Sequence, residues 1–156
     1  ITDWAKAELA RLNAAGVPDR IFPMFRCWGA IRCVDPSLDP SERKPNWCYR
    51  GDPATANRTP SIGRANTLKT WLNMWSLETS PCQGKPHLAK HDTPALVVQG
   101  MADTGVFPSD ARAIFDFLGT ADKRLELITG AHYFEDSIAE RQNAADLVTE
   151  WIREKL

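Results

Sequence analysis

The sequence predicts an α/β fold, on three observations. A short apolar run, PALVVQG at 94–100, closes on glycine. A helical period follows it, and then a second short run, RLELIT at 124–129, leads into a last helical stretch. Short apolar runs rich in β-branched residues read as buried strands, and an intervening helix makes a parallel pair the default.

The chain has 156 residues, 43% hydrophobic and 25% charged, with a net charge of -1. That length suits one cored domain. The charge balance gives no reason to expect nucleic acid, and no apolar run approaches the ~20 residues of a membrane span. The first residue is Ile1 and no secretory leader is visible, so the chain is expected to have lost upstream sequence. A cytoplasmic location follows as an expectation from the missing leader. The four cysteines, Cys27, Cys33, Cys48 and Cys82, lie in no C-x-x-C pair, and reduced thiols are the simpler reading.

From the start, residues 3–15 read as a helix capped by Asp3, with Ala5, Leu9 and Leu12 on one face and Gly16 and Pro18 as its stop. Residues 20–34 are aromatic and irregular. Residues 35–60 are crowded with proline and turn formers and read as loop with brief helical turns. Trp47 and Tyr49 within them argue against plain disorder. Residues 61–77 regain helical period, with Leu68, Trp71, Leu72 and Trp75 on one stripe. Residues 79–93 read as loop. No convincing strand is found before residue 93.

After the first run, Pro108 opens a helix with Ala111, Ile114, Phe115 and Leu118 on one side, and Gly119 ends it. Residues 137–155 form the last helix, with Asp136 as the expected cap. Three segments result: 1–34, a helical piece of the core or the start of a cap; 35–92, a cap-like region; and 93–156, the strand–helix–strand–helix part.

In open parallel sheets reacting groups gather beyond the carboxyl ends of the strands. Asp103 follows the first run there and His132 follows the second. A carboxylate bonded to one imidazole nitrogen fixes the tautomer and leaves the other nitrogen as a base. Each residue also has a plainer use: Asp103 as a turn carboxylate bonding its own backbone, and His132 as a capping histidine. Asp110, in a first helical turn, is the rival acid. His87 and His91 stand four apart, but their loop context and the lack of a third ligand make a metal site a poor reading. No phosphate loop or dinucleotide fingerprint is present, so no cofactor is expected.

PALVVQGMADTGVFPSDARAI and ELITGAHYFEDS together resemble the last third of an α/β-hydrolase. Gly100, Asp103 and Pro108 match that family's acid turn, and Gly130, Ala131 and His132 match its base turn, in the family's order of acid then base. The resemblance covers residues 93–156. It implies the C-terminal part of an α/β-hydrolase sheet with a helical cap, completed by a separate N-terminal chain. It also implies serine-type hydrolysis of a small-molecule ester or amide, as in an esterase, lipase or amidase. Trp71, Trp75, Phe107 and Tyr133 are the candidate substrate-binding residues. Trp28 and Trp47 share with Trp71 and Trp75 the reading of cap tryptophans that line an apolar pocket, though core packing is the plainer role for all four.

The sequence departs from the family in one respect. It contains no G-x-S-x-G elbow: Ser61, Ser76, Ser80 and Ser109 lack the strand-to-helix context, as do the cysteines. A cleaved enzyme whose nucleophile half is a separate polypeptide, a fragment, and a non-catalytic structural or regulatory subunit all fit. An epoxide hydrolase with another nucleophile and an acyltransferase also remain open.

Overall fold

A computed structural model describes residues 1–23, 30–56, 58 and 65–156. In chain order the described elements are α1 (Thr2–Ala14), β1 (Ile21–Pro23), α2 (Ile31–Val34), a 3-10 turn (Pro36–Leu38), α3 (Pro53–Ala56), β2 (Ala65–Thr67), α4 (Leu68–Met74), α5 (Gly84–Leu88), β3 (Ala95–Gly100), α6 (Pro108–Phe117), β4 (Lys123–Ile128) and α7 (Ile138–Lys155). The chain is mixed α/β, and its described strands form two sheets of two strands each. It divides into two compact units, 1–27 with 57–83 and 28–56 with 84–156. Each is discontinuous in sequence, so each draws on more than one of the linear segments 1–34, 35–92 and 93–156.

In the first unit α1 lies against α4. Ala5, Leu12, Phe22, Leu68, Trp71 and Leu72 form the core, with Leu9 and Trp75 packed on it. Trp4 meets Phe22 edge-on at 5.5 Å between ring centres. Asp3 sits inside the first turn of α1, two positions past the cap rather than at it, because the helix starts at Thr2 with Ile1 as its N-cap. An antiparallel pair, Ile21–Pro23 with Ala65–Thr67, runs against the expectation of no strand before residue 93, and its second strand falls where helical period was expected. At the N-terminus of α4 the Asp19 carboxylate accepts from Leu68 N and Lys69 N, at 3.0 and 3.3 Å, and Thr67 Oγ1 accepts from Thr70 N at 3.1 Å. These bonds satisfy donors that a helix start leaves without partners.

In the second unit β3 and β4 are parallel, with Ala95 opposite Lys123 and Gly100 opposite Ile128. α6 packs on both strands, and α7 contacts β3. Burial on both faces, expected of β3, is not what the structure gives. Ala95–Val98 and all of β4 are only half-buried, and α7 contributes no buried residue. Among the described residues two strands and two helices are too few to cover both sides of the pair. Ser137 rather than Asp136 caps α7, its hydroxyl accepting from Glu140 N at 3.1 Å. Gly84–Leu88 is helical where the sequence suggested loop.

Segment 30–45 is fastened to the start of α6 by a polar cluster. Asp39, 7% exposed, accepts from Ser109 N and Ser109 Oγ at 3.3 and 2.7 Å and from Arg32 at 3.2 Å. Arg43, 3% exposed, donates to the carbonyls of Asp39 and Arg32. Burial works to raise the Asp39 pKa, but the Ser109 and Arg32 bonds outweigh it and hold the carboxyl below its ordinary 3.8. A depressed carboxyl stabilises the fold above its unfolded pKa and loses that contribution as pH falls through the folded value. Urea midpoints between pH 5 and 2 are therefore expected to fall more steeply for the wild type than for Asp39→Asn, so that the wild type's advantage shrinks below pH 3.8.

Cys33 and Cys48 are buried free thiols in a small cluster with Ala56 and Phe107, and Cys82 is exposed and free. Cys27, Trp28 and Ser61 lie outside the described residues. Among the described residues no helix is long and apolar enough to cross a membrane.

Candidate active site

The site forms where β3 and β4 end. Beyond the strands the pairing continues for two more bonds, Met101 N to Ile128 O at 2.8 Å and Ala102 N to Gly130 O at 2.9 Å. The chains can come this close because Gly100 lacks a side chain. A Cβ there would lie 2.8 Å from the Ala131 carbonyl oxygen and closer still to that of Gly130. The ring of Phe134 occupies the space where a Gly130 side chain would be. Phe134 itself has φ 52, so the turn after His132 is tightly wound.

The loop after β3 is built around two side chains. Gln99, 4% exposed, donates through Nε2 to Gly100 O at 2.8 Å and Val106 O at 3.1 Å, and so ties both ends of the loop together. Asp103, 6% exposed, turns its carboxylate inward. Its Oδ1 accepts from Gly105 N at 2.6 Å and Val106 N at 3.0 Å. His132 Nδ1 donates to the same carboxylate, at 3.0 Å to Oδ1 and 2.9 Å to Oδ2. The carboxylate therefore serves its own turn and the histidine together. An ionised carboxylate only accepts, so the Nδ1 proton is fixed and the neutral ring keeps its lone pair on Nε2. The His132 side chain is 28% exposed against 8% for that of Asp103, which sets a buried acid behind an accessible base.

Asp110, the rival acid, is engaged elsewhere. Its Oδ2 accepts from Phe107 N at 3.1 Å at the start of α6, and its Oδ1 pairs with Arg32 at 3.2 Å. Ser109 bonds Asp39, Ser76 bonds Thr2 and the backbone of Glu78 and Thr79, and Ser80 bonds Asn73 O. Among the described residues no serine or cysteine bonds His132 Nε2. No group of three or more His, Cys, Asp and Glu is disposed to hold a metal among the described residues.

A cavity of about 650 Å³ opens at His132. Ala102 and Thr104 line it from the acid loop, Ala131, His132 and Tyr133 from the base loop, and Lys44, Trp47, Tyr49 and Arg50 from the proline-rich segment. Glu42, Glu135 and Asp136 complete a wall of mixed charge. Lys44 Nζ lies 3.7 Å from the centre of the Trp47 ring, a cation–π contact at the rim. Tyr133, a candidate substrate-binding residue, lines the cavity. Phe107 does not: it is 4% exposed, with the guanidinium groups of Arg32 and Arg43 4.3 and 4.9 Å from its ring centre. Trp71 and Trp75 belong to the core of the other unit. Tyr49 was missed as a site residue. Its only sequence signal was an aromatic pair, Trp47 and Tyr49, in a segment otherwise made of turn formers.

The chain matches no protein-family model, no curated protein and no solved structure.

Proposed function

We propose that this chain supplies the acid and the base of a serine-type acyl hydrolase acting on a small ester or amide, and that a second polypeptide supplies the nucleophile. The observation that carries the reading is the bond from His132 Nδ1 to a buried Asp103 at the carboxyl ends of two parallel strands, with the rest of the ring at a cavity. The partner is supported by the half-buried faces of β3 and β4 and by the lack of a nucleophile elbow in this sequence.

In this mechanism His132 Nε2 takes the proton of the partner's serine as its oxygen attacks the carbonyl carbon. Asp103 holds the ring and stabilises the imidazolium that forms. The same proton then passes to the leaving group, and His132 next draws a proton from the water that releases the acyl group. The oxyanion donors come with the nucleophile.

The test begins with the polypeptide that co-purifies with this chain, which a fluorophosphonate is expected to label. His132→Ala in that complex is expected to lower nitrophenyl ester turnover about 10⁴-fold while the two chains still co-elute. Unchanged turnover would mark the pair as a structural one.

A further inference from the structure

We infer that Tyr49 is a positioning residue that locks the acid loop and the base loop together around His132. The inference rests on the hydrolase reading for its effect on rate, but not for its effect on the histidine.

Tyr49 meets both loops. On one side it lies against Gly105 of the acid loop, where an added Cβ would be 3.1 Å from Tyr49 Cδ2 and 3.2 Å from its Cβ. Gly105 is also the residue whose N–H holds Asp103 Oδ1. On the other side the Tyr49 ring meets the imidazole of His132 edge-on, 4.8 Å between centres at 67°. The Tyr49 hydroxyl shares a 2.6 Å hydrogen bond with that of Tyr133, whose ring packs on His132 at 4.5 Å and 85°. The segment that presents Tyr49 is itself braced. Cys48 and Gly51 exchange backbone bonds of 2.9 and 2.8 Å, and Gly51 takes φ +90 with the Trp47 ring against it.

The Asp103 bond fixes only one corner of the imidazole, and a ring held at one corner can still tilt about that bond. Two aromatic rings, each set nearly perpendicular to it at the separation such pairs prefer, remove that freedom. They therefore fix the direction in which Nε2 points. Base position matters steeply, since a misplacement of about 1 Å costs about 10²-fold in rate.

The experiment reads the imidazole directly. In the ¹⁵N-labelled chain, the His132 Nδ1–H proton is expected as a resolved downfield resonance. It should be lost in Tyr49→Ala and retained in Tyr49→Phe, which keeps the ring. Tyr49 is 37% exposed, so its removal opens no buried hole, and unchanged amide shifts along β3 and β4 will confirm the fold. Gly105→Ala is the second variant, displacing Tyr49 without deleting it, and should weaken the same resonance. In the two-chain complex Tyr49→Ala is expected to lower kcat by about 10²-fold, with KM nearly constant and Tyr49→Phe close to wild type. A persistent Nδ1–H resonance in Tyr49→Ala would overturn the inference. So would a loss carried by KM instead, or a Phe variant as damaged as the Ala variant. If no complex hydrolyses any ester, the hydrolase reading fails and the resonance alone decides the role of Tyr49.

Discussion

On the proposed hydrolase reading, replacing Asp103 with asparagine is expected to lower turnover of the two-chain complex about 10⁴-fold while leaving the fold nearly intact. The reason lies in how the carboxylate is divided. Oδ1 accepts from Gly105 N and Val106 N, so the carbonyl oxygen of an asparagine must take that place. Its amide nitrogen is then forced into the position of Oδ2, 2.9 Å from His132 Nδ1. An amide nitrogen only donates, and Oδ1, although also 3.0 Å from Nδ1, already accepts from two backbone N–H groups, so Nδ1 becomes the acceptor and the ring proton moves to Nε2. The base is lost through its tautomer, not through its position. Asp103→Asn should therefore show an intact acid loop, a reversed ¹⁵N tautomer signature for His132, and a collapse of kcat. An asparagine variant that turns over normally would remove the pair from the mechanism.

Gly100→Ala carries the largest expected effect on stability. The added methyl would fall on two carbonyl oxygens of the base loop; moving that of Gly130 breaks its bond from Ala102 N, which prolongs the β3–β4 ladder, and moving that of Ala131 breaks its bond from Phe134 N. Overpacking against side chains costs about 1–3 kcal/mol, and backbone at this distance places Gly100 at the upper end, about 3 kcal/mol. The urea midpoint should drop with little change in slope. The same displacement parts Asp103 from His132, so the Nδ1–H resonance should be lost in whatever fraction remains folded. A variant of wild-type midpoint would mean that the two loops approach less closely than described.

Parts of this arrangement were legible in the sequence because their signals are local. PALVVQG and RLELIT mark β3 and β4 to within a residue, and Pro108 sits at the first turn of α6. Strand order then placed Asp103 and His132 at one edge before any distance was known. The antiparallel pair β1–β2 was illegible because IFP and ANT are three residues each, too short for alternation to show. Phe107 was misjudged for another reason. An aromatic beside the acid loop suggests a pocket wall, but two arginines from segment 30–45 cover it. Tyr49 was hidden because its hydroxyl partner stands 84 residues away. Trp71 and Trp75 showed their stripe plainly, and the stripe reported the packing of α4 rather than a pocket.

The double duty of Asp103 also bears on the order in which the site assembles. Its bonds to Gly105 and Val106 span two and three residues, whereas its bond to His132 spans 29. Closure entropy grows with the logarithm of the span, so the long connection costs about 2 kcal/mol more to close than the three-residue one. The acid can take its final shape from its own loop, and the base arrives with β4. When the chain breathes, the histidine departs first and returns to a carboxylate that is already aimed.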